Sequence, residues 1–287
     1  MIKSGALKAF LSADKGTRVI GQVDRYLMAR PKDDRNMLVI HPSAMASKTW
    51  CHREQYFLLM GFEPKNEHHG LAKRLVFDTG HAAHSRWQEW FGEMDKIKGI
   101  WKCTDCKFEW TGIRSEHEAG HEVAYHEVPV RSEMHRIAGK ADGWLVGFGG
   151  DLLLEIKTLG EGSFRWYAPD LLAKANGDHR EAWKNLEAPF IEHVLQAQIY
   201  LKLLEIMEVP DAPQEIVFIY EAKWSHEVKE FFVQKSDFGV TELFDQALEI
   251  LKAVDAKIPP MCNIGGSAGC KKCDHYQEEL LRERIID

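Results

Sequence analysis

Hydrophobic and polar positions follow a helical period over residues 43–59 and, more strongly, over 71–91. From residue 128 the period shortens toward two, with strand-like segments at 128–131, 136–146 and 152–158. A helix is expected over 187–207 (LEAPFIEHVLQAQIYLKLLEI), strands over 215–222 and 228–234, and a further helix over 238–254. Residues 1–40 are charged and weakly patterned, which suits a helix or two laid on the surface. Residues 99–126 break the pattern: tryptophans, a Cys-x-x-Cys pair and several histidines replace apolar periodicity. A cysteine-bearing loop and a short charged helix are expected at the end. Strands grouped centrally, with helices before and after, predict an α/β core with helical flanks. No repeat, low-complexity tract or linker interrupts residues 1–287, so one domain is expected.

Composition narrows the picture without changing it. A chain of 287 residues that is 45% hydrophobic and 10% aromatic has a normal packed core. Its formal net charge of -7 excludes a broadly basic nucleic-acid binder, so any DNA contact must come from a local groove. The opening MIKSGALKAFLSADKGTRVI lacks a signal-peptide apolar stretch, and no window approaches a membrane span. A soluble, cytoplasmic protein is the expectation, and its 6 cysteines then point to metal or redox chemistry rather than disulfides.

The segment GKADGWLVGFGGDLLLEIKT concentrates the chemistry. Side chains two apart on a strand share a face, so Glu155 and Lys157 point one way while Ile156 turns into the core. Glu155 with Asp142 can bind a hard cation such as Mg²⁺ or Mn²⁺, and Lys157 can position a water or stabilise charge on a phosphate. Acid-x-Lys pairs on strands are commonly solvated charge pairs. Here the strand is otherwise apolar on both faces, where charge is costly to place without a purpose. Upstream, Gly80, His84 and Gln88 recur every four residues on one helical face. His84 offers an imidazole ligand, with His81 as the competitor on nearly the same turn. Gln196 and Tyr200 also lie four apart, placed to hydrogen-bond the lysine and a phosphate or to offer a base a stacking surface.

The cysteines form two sets. Cys262, Cys270 and Cys273 lie near the end and Cys51 far upstream; four thiolates suit an iron–sulfur cluster or a structural zinc. Cys103 and Cys106, followed by His117, His121 and His126, give C-x2-C-x10-H-x3-H when the first two histidines are used, close to a structural zinc spacing. A rival partition joins Cys103 and Cys106 with Cys270 and Cys273, leaving Cys51 and Cys262 free, but it separates Cys262 from the loop it shares.

Together these stations resemble the PD-(D/E)XK nucleases of the RecB-like branch, and most closely the iron–sulfur exonucleases of CRISPR adaptation and their phage-encoded relatives. The likeness runs over residues 41–276: Cys51-His52-Arg53 with Tyr56, then Gly80 to His84, Gly139-Lys140-Ala141-Asp142, Glu155 and Lys157, Gln196 and Tyr200, and the terminal cysteine triplet. The resemblance implies a restriction-endonuclease-like fold in which His84, Asp142, Glu155 and the main-chain carbonyl of Ile156 ligate a catalytic Mg²⁺ or Mn²⁺. It implies that Lys157 orients or activates the attacking water and that Gln196 and Tyr200 hold the site and the strand. It implies a structural 4Fe-4S cluster on Cys51, Cys262, Cys270 and Cys273, joining N- and C-terminal regions. Residues 99–126 depart from the family; they read as a zinc-finger-like insertion at Cys103, Cys106, His117 and His121, suited to guiding substrate or meeting a protein partner.

The expected activity is metal-dependent exonucleolytic hydrolysis of single-stranded DNA or duplex ends, in recombination, repair or phage DNA processing. A phage-encoded chain would act in the host cytoplasm. Two rivals are a DNA-binding module on an inactive nuclease fold and an iron–sulfur redox sensor. Retention of Asp142, Glu155 and Lys157 together argues against the first. DNA affinity that follows cluster oxidation state and survives Lys157→Ala would mark the second.

Overall fold

The computed structural model describes residues 19–29, 35–62, 70–117, 120–264 and 276. They fall into two compact units, one within Met1–Arg35 and Asn66–Thr79, the other within Asn36–Lys65 and Gly80–Asp287. The first holds α1 (Ile20–Ala29) and the opening of the long helix α4 (Leu71–Glu93). The start of α4 has backbone donors with no intrahelical partner, and the Asp24 carboxylate meets one of them, accepting from the Leu71 N–H at 2.6 Å.

The second unit is a mixed α/β structure built on a central mixed sheet. Its strands are β1 (Ile97–Cys103), β2 (Glu109–Gly112), β3 (Val123–His126), β6 (Gly143–Leu145), β7 (Leu152–Leu159), β8 (Glu215–Ala222) and β9 (Val228–Gln234). They lie in the order β2-β1-β6-β7-β8-β9, with β3 also paired to β1. β4 (Val128–Ser132) and β5 (Ile137–Ala141) form a separate antiparallel hairpin. Among the described strands, β7 and β8 are the pair that runs parallel, Glu155 opposite Phe218 and Lys157 opposite Tyr220. The crossover between them carries α5 (Glu161–Tyr167), α6 (Pro169–Lys174), α7 (His179–Lys184) and α8 (Ile191–Ile206).

A strand covered on both faces reads as a near-continuous apolar run, which explains Leu152, Leu153, Leu154 and Ile156, interrupted only by Glu155. Leu152, Leu154 and Ile156 pack with Val217 and Ile219 on the face shared with Trp87 and Phe91 of α4. Leu153 and Leu159, with Phe218 and Tyr220, face a larger core that includes α2 (Pro42–Met45), α3 (His52–Leu59), α8 and α9 (Val240–Ala256). Each such side chain contributes roughly 1.5–3 kcal/mol by leaving water. Glu155 and Lys157 alternate onto the α8 side, as the strand period requires.

Three local differences from the sequence pattern have physical causes. The stretch expected as one strand over 136–146 is two, β5 and β6, separated by Asp142 and belonging to different sheets. α8 begins at Ile191 rather than 187, because Pro189 disfavours a helical conformation for Ala188 and lacks an N–H of its own. Residues 161–184 carry no clear period and form the three short helices α5–α7, too short to show a repeat.

The 99–126 segment is continuous with the sheet. Ile97 and Lys98 of β1 pair with Leu145 and Trp144 of β6, while residues 99–103 of the same strand pair with β2 and β3. Gly99 allows Tyr125 of β3 to lie against the strand, since a Cβ there would sit 2.5 Å from the Tyr125 ring. Gly99→Ala is therefore expected to displace that ring and cost about 1–3 kcal/mol of stability, read as a lower denaturation midpoint in urea. An unchanged midpoint would mean the ring relocates freely.

Candidate metal centre

Asp142 occupies the joint between the β4–β5 hairpin and the main sheet, and its side chain is nearly buried. Its Oδ2 accepts the Ile156 N–H at 2.6 Å, tying it to β7, and its Oδ1 lies 3.1 Å from His84 Nδ1 on α4. The Asp142 carbonyl accepts from Gln88 Nε2 at 2.9 Å and from Tyr125 Oη at 3.2 Å. His84 and Gln88, one helical turn apart, thus converge on one residue. His81 is exposed, which separates the two histidine candidates.

Sequence reasoning missed Glu127. It immediately precedes β4, and the register pairing Val128 with Ala141 sets it opposite Asp142. Ligand atoms of His84, Glu127 and Asp142 all lie within 4.8 Å of one another. Like charges opposite each other on paired strands repel, a repulsion that a shared cation would relieve. The signal was present in the hairpin register but needed both strands placed correctly.

Glu155, only 1% exposed, is turned toward Lys157, whose Nζ is 2.7 Å from its Oε2. Its Oε1 has no hydrogen-bonding partner among the described residues. Lys157 Nζ also donates to Gln196 Oε1 at 3.2 Å, and Gln196 Nε2 donates to Tyr200 Oη at 2.8 Å. The structure therefore brings together Asp142, His84 and the Ile156 amide, and beside them Glu155, Lys157, Gln196 and Tyr200.

The electrostatics describe a cluster short of positive charge. Burial, then the Lys157 and Asp142 charges, act on Glu155, and the net effect pushes its carboxyl up to about 7. Burial and the Asp142 charge raise Glu127 as well. Burial opposes charge on His84, but its contact with Asp142 outweighs this and raises it. Burial also opposes charge on Lys157, which the surrounding carboxylates nonetheless hold above the ordinary lysine range. A divalent cation would favour the ionised carboxylates and the neutral imidazole. The uncommitted Glu155 Oε1 and the oxygen-rich donor set fit a hard cation.

A second cluster lies at the far end of β1. Cys103, Cys106, His117 and His121 present ligand atoms within 4.8 Å of one another. Cys103 Sγ is 3.5 Å from His121 Nδ1, and Cys106 Sγ is 3.4 Å from His117 Nε2. Tetrahedral zinc with ordinary Zn–S and Zn–N bonds would require an edge of about 3.6 Å, so the donor set fits zinc. Burial acts to raise the Cys103 thiol, but hydrogen bonds led by the Cys106 N–H at 3.3 Å bring it down to about 6. His126 is exposed on β3, paired with Ile100 and outside this cluster.

Of the remaining cysteines, Cys51 caps α3, its Sγ accepting the Glu54 N–H at 3.4 Å. Asn263 joins this segment to the one holding Cys262: its Oδ1 accepts the His52 N–H at 3.0 Å, and its Nδ2 donates to the Trp50 carbonyl at 2.9 Å. Tyr276 stacks on Phe57 of α3, ring centroids 5.1 Å apart. Cys270 and Cys273 lie outside the described residues.

No family model matches the sequence, and no curated protein matches it. Among solved structures, the chain is similar to an alkaline exonuclease (LHK-Exo) from Laribacter hongkongensis, with 13% identity, 86% of this chain and 95% of that one covered, and a TM-score of 0.42. The same enzyme in complex with dAMP gives 12% identity, 81% and 93% coverage and a TM-score of 0.40. The protein SSO0001 gives 14% identity, 86% and 87% coverage and a TM-score of 0.37. Among the described residues, no helix is long and apolar enough to cross a membrane.

Proposed function

We propose that this chain is a divalent-metal-dependent DNA nuclease of the RecB-like type, acting as an exonuclease on single strands or duplex ends. The observation that carries the reading is the convergence of His84, Glu127 and Asp142, with the Glu155–Lys157 pair beside them. Asp142, Glu155, His84 and the Ile156 carbonyl, with Glu127 added, would hold Mg²⁺ or Mn²⁺. The cation, when bound, polarises the phosphoryl oxygen and offsets charge that develops on it. Lys157, held by Glu155 and Gln196, orients the attacking water and stabilises the developing negative charge. Tyr200 fixes the amide of Gln196 and through it the lysine.

A cavity of about 230 Å³ opens beside Lys157 and Gln196 and is also lined by Ser43, Lys48, Trp166 and Tyr167. Trp166 is 67% exposed and offers a stacking face for a base, while Lys48 at the same cavity is ion-paired with Glu192 at 2.8 Å. Zinc at Cys103, Cys106, His117 and His121 would stabilise the 99–126 segment. An iron–sulfur cluster on Cys51, Cys262, Cys270 and Cys273 would reinforce the junction at Asn263, in a structural role.

The test is degradation of single-stranded and duplex DNA, labelled at either end, with Mg²⁺, with Mn²⁺ and with chelator. Shortening ladders that require the cation are expected, and the label that disappears first gives the polarity. Protein with intact cysteine-bound metal that leaves every substrate whole would sink the enzymatic reading and favour the binding module.

A further inference from the structure

We propose that the Cys/His finger positions the hydrolytic cation: zinc locks β3 onto β1, and β3 delivers Tyr125 and Glu127 to Asp142. This inference rests on the proposed reading of the His84–Glu127–Asp142 cluster as a cation site.

β1 runs from the main sheet at one end to the Cys/His cluster at the other. At its start, Ile97 and Lys98 are stitched into the main sheet through β6. At its end, Cys103 pairs with Val123, the first residue of β3, and Cys103 and Cys106 face His117 and His121. Backbone bonds close the same end, Thr104 N–H to the Glu122 carbonyl at 2.9 Å and Glu122 N–H to Asp105 Oδ2 at 2.8 Å. A metal there fixes where β3 begins.

β3 then runs back toward the hydrolytic cluster. Tyr125 packs edge-on against Trp101, centroids 5.2 Å apart, and its hydroxyl reaches the Asp142 carbonyl. Trp101 is held in turn by its Nε1 bond to the Gly112 carbonyl at 3.1 Å and lies over Gly92 of α4, where a Cβ would stand 2.7 Å from its ring. One residue past β3 comes Glu127. From His121 to Glu127 an extended chain covers about 20 Å, so the two clusters are opposite ends of one short ribbon. Strands of four residues with few buried side chains are marginal alone; for a small metal-bound element, metal binding supplies the folding energy. Loss of zinc should therefore release Glu127 and Tyr125 while leaving β6–β9 intact.

The competing account is that the β4–β5 hairpin alone sets Glu127 opposite Asp142. Mn²⁺ affinity distinguishes the two, measured on the full chain by the electron paramagnetic resonance signal of free Mn²⁺. The proteins are zinc-loaded wild type, the double variant Cys106→Ser/His117→Asn, Tyr125→Phe, and Asp142→Asn to identify the site. The double variant is expected to bind Mn²⁺ 10-fold or more weakly with its core circular dichroism retained. Tyr125→Phe should keep zinc and weaken Mn²⁺ binding, within the roughly 10–100-fold range seen when partners of metal ligands are removed. Wild-type affinity in the double variant overturns the inference. If that variant does not fold, unchanged affinity in Tyr125→Phe overturns it. Wild type that binds no Mn²⁺, or binds it equally after Asp142→Asn, removes the hydrolytic reading itself and this inference with it.

Discussion

Asp142→Asn protein is expected to stay folded while cutting DNA at least roughly 10²–10³-fold more slowly than wild type. Asparagine matches aspartate in shape, and its side-chain oxygen can still accept the Ile156 N–H that Oδ2 accepts now. The second position becomes an amide NH₂ facing His84, where Oδ1 stood. An NH₂ group donates hydrogen bonds but cannot ligate a cation. The bonds from Gln88 and Tyr125 go to the main-chain carbonyl and survive the change, so the joint between hairpin and sheet persists. Single-turnover cleavage of labelled single-stranded DNA in Mn²⁺ measures the loss, with thermal unfolding alongside to verify folding. Cleavage at the wild-type rate would assign the activity to another centre.

The second large effect is on stability in acid, and it comes from His193. This histidine is buried on α8 among Tyr167, Phe190 and Tyr220. The Phe190 N–H donates to the Tyr220 oxygen at 2.9 Å, and the Tyr220 hydroxyl is hydrogen-bonded to His193 Nδ1 at 2.5 Å. In the neutral ring Nδ1 can accept the Tyr220 hydroxyl proton, leaving the phenol oxygen to accept from Phe190. Burial and then the Lys157 charge bring the group down from 6.5 to about 3. Below 6.5 the unfolded chain binds a proton that the folded one rejects, so stability conferred above 6.5 is lost as pH falls through that window. The loss from this one residue amounts to about 2 kcal/mol at pH 5 and about 4 kcal/mol at pH 3. Urea denaturation across pH 3–7 should show it, and His193→Gln, which retains an acceptor for Tyr220 but cannot titrate, should flatten the slope. An equal slope in the variant would place the acid sensitivity in other groups.

Much of the central architecture was legible because it is written in local periods. The alternation at Glu155, Ile156 and Lys157 needs only the strand geometry, and the structure divides these side chains between opposite faces of β7. Residues four apart on α4 and α8 converge for the same reason, His84 with Gln88 and Gln196 with Tyr200. What failed to show were long-range pairings. The stretch 136–146 has a continuous apolar alternation, and nothing local reveals that its halves join different sheets. Glu127 acquires meaning only from the register that sets it beside Asp142, and that register depends on a hairpin, not on a motif. The Cys/His spacing was readable, and its four side chains do converge, whereas the continuity of this segment with the main sheet through β1 depends on Ile97 meeting Leu145, 48 positions along the chain.

The bridge made by Asn263 has a consequence for how the molecule is assembled during synthesis. It satisfies the Trp50 carbonyl and the His52 N–H from 213 and 211 positions away. At about 5–20 residues per second, the ribosome needs roughly 10–40 s to deliver Asn263 after α3 has emerged. Throughout that interval the Trp50 carbonyl and the His52 N–H are without the Asn263 side chain that meets them in the folded chain. Association of the N- and C-terminal segments is then a late, post-emergence event, and the β6–β9 sheet has time to form before it.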